Sequence, residues 1–189
     1  MPGLKNIEVE LKFSLVNKKE LIAKLQSIAK LGKENDLQKD TYYIPAHRNF
    51  LEKLPILEWL RLRETPKESS INYKRWHNEN GKNAVSCDEF ETKVEEVDEL
   101  KNILARLNFT ESIIVEKTRT TYHYKDVEIA IDDVKDLGAF IELEAKGNFA
   151  SIEEAEKHLH KVLEELKANV GKQEFKGYPH QLLEKKGLL

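Results

Sequence analysis

Three segments of this chain repeat one pattern, and that pattern leaves few folds open. Glu8-Val9-Glu10-Leu11-Lys12, Glu89-Phe90-Glu91-Thr92-Lys93 and Glu142-Leu143-Glu144-Ala145-Lys146 each read E-x-E-x-K. Strict alternation is the period of a β-strand, so each segment carries its acids and its lysine on one face and its other side chains on the opposite face. A run with helical periodicity follows each copy. A lone strand of this kind would show its charged face to water. Three of them, each leading into an amphipathic helix, predict a sheet with one charged face. Two carboxylates about 7 Å apart on one strand face can also hold a hard cation.

The remaining segments extend the pattern. Lys18 to Leu31 places Leu21, Ile22, Leu25, Ile28 and Ala29 on one helical stripe, with Gly32 as its stop. Asp40 to Ile44 is a short strand cut off by Pro45, and residues 46–55 form a loop suited to be a flap over a site. Glu58 to Arg63 alternates with arginines on its charged face. Ile71 to Trp76 and Val85 to Val94 pair through a turn at Asn78-Glu79-Asn80-Gly81. Val97, Leu100, Ile103, Leu104 and Leu107 mark a second helix. Strands follow over Ile113 to Tyr124, Val127 to Asp132 and the third E-x-E-x-K copy. Ser151, with Glu154 three residues on, caps a third helix, and Pro179 to Lys186 is a last short one. About eight strands in hairpin-like order predict antiparallel pairing.

With 189 residues and no linker, the chain reads as a single domain, 1–189. Charged residues make up 34% of it, yet the net charge is only -3, so acids and bases are interleaved and a basic nucleic-acid face is disfavoured. One cysteine, Cys87, excludes an intramolecular disulfide and fits a reducing cytoplasm. No run approaches the ~20 apolar residues needed to cross a bilayer. A cytoplasmic protein without nucleic-acid or membrane partners is expected.

If the helices cover the apolar face from outside, the charged faces turn toward one another inside a closed sheet. Eight strands enclose room for side chains or one small ligand. The fold class expected is α+β, an eight-stranded antiparallel β-barrel, or tunnel, with helices packed on the outside. Its interior would hold the acids Glu8, Glu10, Glu89, Glu91, Asp132, Glu142 and Glu144 and the bases Lys12, Arg61, Arg63, Lys74, Lys117 and Arg119. Mutual salt bridges could neutralise that set. Alternatively it serves a ligand that needs both signs: carboxylates for a divalent cation, Arg and Lys for phosphate oxygens. No glycine-rich phosphate loop is present, so side chains would do the holding. Lys117 and Arg119 share strand parity with Ile113 and Val115, so the first part of that strand is expected outside the tunnel or bulged.

The N-terminal E-x-E-x-K, the paired basic strands and the late Asp132-Asp133-Val134 with Gly138-Ala139-Phe140-Ile141-Glu142-Leu143-Glu144 resemble the CYTH domain of triphosphate tunnel metalloenzymes. Gln38-Lys39-Asp40-Thr41-Tyr42, Leu60-Arg61-Leu62-Arg63 and Val115-Glu116-Lys117-Thr118-Arg119 look most like the class IV adenylyl cyclase group. The resemblance implies Mg²⁺ or Mn²⁺ held by Glu8, Glu10, Glu142 and Glu144. It implies phosphates gripped by Lys12, Arg61, Arg63, Lys74, Lys117 and Arg119. Glu89 is then a substrate-side acid, and Glu8, Glu10, Lys12 and Asp132 the catalytic set. The expected substrate is a triphosphate-containing small molecule, ATP or a relative. In a cyclase the ribose 3′-hydroxyl of ATP attacks the α-phosphorus and pyrophosphate leaves; in a triphosphatase water attacks the terminal phosphorus of inorganic triphosphate, thiamine triphosphate or a nucleoside triphosphate. A non-catalytic polyphosphate or nucleotide binder is a third class. A homodimer is expected from the resemblance alone.

Overall fold

The computed structural model describes residues 7–78 and 85–189. Its strands are β1 (Ile7–Leu15), β2 (Lys30–Leu31), β3 (Asp36–Ile44), β4 (Glu58–Glu64), β5 (Ser69–Trp76), β6 (Ser86–Val94), β7 (Thr110–Tyr124), β8 (Val127–Val134), β9 (Gly138–Ala145) and β10 (Val170–Gln173). The helices are α1 (Lys18–Ile28), α2 (Val97–Arg106), α3 (Ile152–Leu166) and α4 (Tyr178–Lys185). Eight strands hydrogen-bond in the order β1-β6-β5-β4-β3-β7-β8-β9, and β9 returns to β1, so the sheet closes into an antiparallel ring. The two short strands are additions, β10 on β1 and β2 on β7. The turn expected at Asn78-Glu79-Asn80-Gly81 lies, apart from Asn78, outside the described residues.

Strand parity decides which side chains meet. Val9, Leu11, Phe13 and Leu15 of β1 point away from the ring interior and pack with Ile141 and Leu143 of β9 against Leu21 and Leu25 of α1 and Leu159, Val162 and Leu166 of α3. Ser151 caps α3 by accepting from the Glu154 amide at 3.2 Å, as its sequence predicts. Leu104 of α2 packs on Leu62 and Tyr43 on the other side. The stripe expected to run to Leu31 ends earlier: α1 stops at Ile28 and the chain turns into β2, whose two residues pair with Tyr122 and His123.

Helix α4 is different. Tyr178, Leu182 and Leu183 pack against Tyr42, Trp59, Val115, Val134 and Phe140. Those five share strand parity with the inward-facing charges, so α4 fills one end of the ring and does not lie outside it. This corrects one expectation. Helices do not all cover the outer face. The first part of β7 does not leave the ring either, since Ile113 and Val115 point inward onto the α4 cluster. The bulge expected as the alternative is present, where Tyr42 pairs with Ile113 but Tyr43 with Glu111. The loop 46–55 also differs from expectation. Leu51 packs on the α4 cluster and Arg48 pairs with Glu58 at 2.8 Å, and no residue of 46–55 lines the central cavity. Among the described residues no helix is long and apolar enough to cross a membrane.

Candidate functional site

The inward-facing side chains surround a cavity of about 250 Å³. Glu8, Glu10, Lys12, Arg61, Arg63, Lys74, Glu89, Glu91, Lys117, Arg119, Glu142 and Glu144 all line it, together with Asp40, Asn72, Glu128 and Lys146. Side-chain exposure rises toward one end, from 14% at Glu142 to 24% at Glu144, 43% at Glu91 and 46% at Lys146, so the cavity opens there and α4 closes the other end. Alternation alone brings every sequence-predicted residue except Asp132 to the cavity wall. Asp132 sits just behind it, fully buried.

The charges are segregated. Strands β4 and β7 carry Arg61, Arg63, Lys117 and Arg119, and two carboxylates, Asp40 of β3 and Asp132 of β8, organise them. Asp40 accepts from Arg63 Nε at 2.7 Å and Nη2 at 2.6 Å, the bidentate geometry a guanidinium favours. Asp132 accepts from Arg119 Nε at 2.7 Å, Arg119 Nη2 at 2.5 Å, Lys117 Nζ at 3.0 Å and the Tyr178 hydroxyl at 2.9 Å. Burial alone would raise the Asp132 carboxyl; Arg119 and Lys117 outweigh it and hold the group well below the usual carboxylate range. Four donated hydrogen bonds occupy its acceptor capacity. Arg119 also pairs with Glu142, tying this wall to β9.

Strands β1, β6, β8 and β9 carry the acids. Glu10 lies directly opposite Glu144 in register, and Glu144 directly opposite Glu128, so three carboxylates form a row across the interior face. Like charges so placed repel. Burial and then Glu8 push the Glu10 carboxyl well above its ordinary value, and the same two causes push Glu144 up to about 7. Lys146 pairs with Glu144 at the rim. Lys74, expected among the phosphate-gripping cations, is on this wall: its ammonium contacts Glu8, with Glu89 at 3.5 Å and Glu10 at 3.9 Å. Asn72 donates to Glu89 at 2.5 Å.

Two cations that face the cavity are held less tightly than the rest. Lys12 is 6% exposed and has no ion-pair partner among the described residues; its ammonium lies 4.8 Å from the centroid of the Tyr178 ring. Arg61 comes no nearer than 3.8 Å to Glu91 and 3.9 Å to Asp40, and its buried Nε makes no hydrogen bond. Such groups are costly unless an anion meets them.

Sequence reasoning missed Asp40, Asn72, Glu128 and Tyr178. The parity of Glu128 with Asp132 marked it as inward-facing. Nothing local marked Tyr178, whose position depends on where α4 docks.

Comparison with known proteins agrees with this fold. The CYTH domain model matches residues 6–178. A Methanocaldococcus jannaschii protein named as a candidate adenylate cyclase is 32% identical over 167 residues, spanning 88% of this chain and 91% of its own. The solved structure of the PH1819 protein from Pyrococcus horikoshii superposes with a TM-score of 0.79 at 33% identity, over 94% of this chain and 99% of that one. HpAC1 from Hippeastrum, described as an adenylyl cyclase candidate with a dominant triphosphatase activity, shares the fold at a TM-score of 0.58 and 14% identity, over 96% and 95% of the two chains. The extent of the family match and the order of the motifs lead to one assignment: this chain belongs to the CYTH domain family.

Proposed function

We propose that this protein is a metal-dependent enzyme acting on a triphosphate held inside a tunnel. One observation carries the reading: the buried ammonium of Lys12 has no ion pair among the described residues and the buried Nε of Arg61 no hydrogen bond, while carboxylates crowd one another around the same cavity. A metal-complexed triphosphate answers both demands. The donor set fits Mg²⁺ or Mn²⁺, since Glu8, Glu10, Glu142 and Glu144 offer only hard oxygen ligands. As they stand, no three such side chains among the described residues are close enough to hold a metal ion; Lys74 lies between Glu8, Glu10 and Glu89 instead.

When bound, the cation would neutralise phosphate charge and polarise the reacting oxygens. The chain's own residues do the rest. Arg61, Arg63, Lys117 and Arg119 orient the phosphates and meet the charge that develops on them. Asp40 and Asp132 hold those cations in place, so Asp132 acts by positioning. Lys12, with no carboxylate of its own, gives its ammonium to the phosphate chain. The α4 plug keeps water out of one end.

The cyclase reading, ATP to cyclic AMP and pyrophosphate, draws on the Methanocaldococcus relative. A triphosphatase reading rests on a separate observation. The aromatic rings lining the cavity (Tyr42, Trp59, Trp76 and Tyr178) gather at the closed end, and the open end offers charged groups for whatever the triphosphate carries. Incubation with ATP and with inorganic triphosphate plus Mg²⁺, followed by product chromatography, separates the two. Cyclic AMP with pyrophosphate supports the first and orthophosphate the second. Tight binding without either product supports a non-catalytic binder. Neither binding nor turnover of any triphosphate would sink the tunnel reading.

A further inference from the structure

We infer that Lys74 is the acidic wall's built-in counter-cation, which yields its place to the divalent ion when triphosphate enters. The inference rests on the reading above and goes beyond it. Lys74 was expected among the phosphate-gripping cations, yet carboxylates from two neighbouring strands surround its ammonium: Glu8 in contact, Glu89 at 3.5 Å and Glu10 at 3.9 Å. A compact ammonium among hard oxygens occupies the electrostatic position of a metal ion. The three acids draw their arrangement from it, which is why no ready-made metal cluster stands on this wall among the described residues.

Two physical consequences follow. A divalent ion cannot settle on Glu8 and Glu10 while Lys74 is in contact with Glu8, because two cations at that spacing in a low-dielectric site repel strongly. Once displaced, the ammonium needs new negative charge, and its flexible four-carbon stem allows it to move. Lys74 projects from β5 two residues beyond Asn72, which is directly opposite Arg61 in register, so the cation-lined part of the cavity is next to it. An incoming phosphate would satisfy it there. Metal and triphosphate would therefore bind as a linked pair, each favouring the other, and such linkage is reciprocal. In the empty protein Lys74 keeps the acids from repelling one another and from capturing stray cations.

The test is Mn²⁺ binding followed by electron paramagnetic resonance, without and with inorganic triphosphate. Four proteins are compared: wild type, Lys74→Met, Lys74→Arg and Arg61→Gln. Without triphosphate, Lys74→Met is expected to bind Mn²⁺ at least about tenfold more tightly than wild type, since the competing cation is gone. Lys74→Arg keeps a cation in place and should stay near wild type. Arg61→Gln removes a positive charge from the neighbouring strand, outside the Glu8, Glu10 and Glu89 cluster, and should change Mn²⁺ affinity less than Lys74→Met does. Triphosphate should tighten Mn²⁺ binding in wild type and do so far less in Lys74→Met. If Lys74→Met does not fold, Lys74→Gln measured in the same way takes its place. Equal or weaker Mn²⁺ binding by Lys74→Met, in a series where wild type responds to triphosphate, overturns this inference and leaves the proposed function standing. Absence of Mn²⁺ binding by all four proteins, with or without triphosphate, overturns both.

Discussion

On the cationic wall of the ring, acids and bases are matched: Asp40 receives both donors of Arg63, and Asp132 receives four hydrogen bonds from Arg119, Lys117 and Tyr178. On the acidic wall, Glu10 faces Glu144 and Glu144 faces Glu128, with Lys74 as the main internal cation. The same residue types are thus buried in two ways. One wall is finished by the chain itself, so its carboxylates contribute structure. The other is left short of positive charge, and Lys12 of β1 has no ion pair among the described residues. The unfinished groups point to the ligand; the finished ones hold them in position.

The contrast can be broken by making one chemical change on both walls. Asp132→Asn should cost about 3–5 kcal/mol of stability, because it leaves Lys117 buried without its acid and Arg119 with Glu142 alone. Glu10→Gln should leave the melting temperature unchanged or higher, since the raised proton affinity of Glu10 shows its charge to be unwelcome in the empty protein. Its turnover should nevertheless fall at least about a hundredfold, through loss of an oxygen donor to the metal. Thermal melts and initial rates on both variants decide it. A stable Asp132→Asn, or a fully active Glu10→Gln, would erase the distinction between the walls.

A smaller effect is expected at Lys12, the cation that belongs to neither set of pairs. Lys12→Met should weaken triphosphate binding by about tenfold, and it should not lower stability, since no intramolecular ion pair is lost. Calorimetric titration together with a thermal melt measures both. A destabilised variant that still binds normally would show that Lys12 serves the fold.

The mildest change comes from pH. Burial and the adjacent Arg119 lower the Lys117 ammonium to about 8. Phosphate needs the charged form, which is complete below that value and is lost as pH rises through it. Triphosphate affinity should therefore decline as pH rises above 8, by at most about tenfold per pH unit for a single proton. Lys117→Arg should remove the decline, because a guanidinium stays charged. A wild-type profile flat to about pH 9.5 would mean that Lys117 does not meet the anion.

How much of this was legible beforehand differs from residue to residue. Glu8, Glu10, Glu142 and Glu144 could be placed inside the ring because β-strand side chains alternate and their neighbours Val9, Leu11, Ile141 and Leu143 are plainly core. Glu128 carried the same signal. Lys74 also read correctly as inward-facing, yet its partners could not be inferred, because they depend on β5 pairing with β6 and β6 with β1. The inward Ile113 and Val115 looked anomalous only because the helix they pack on, α4, lies more than sixty residues further along the chain.

Local pattern was enough for the α+β character, the strands, the charged face of each and the family to which the chain belongs, because period-2 alternation and residue type are properties of short segments. Which acid meets which base, which end of the ring is open, and that Lys74 stands among glutamates while Lys12 stands alone emerge only in the folded molecule. Those outcomes depend on ring closure between β1 and β9 and on where α4 docks. Contacts between strands more than a hundred residues apart are set by the packing of the whole molecule, and no local pattern encodes them.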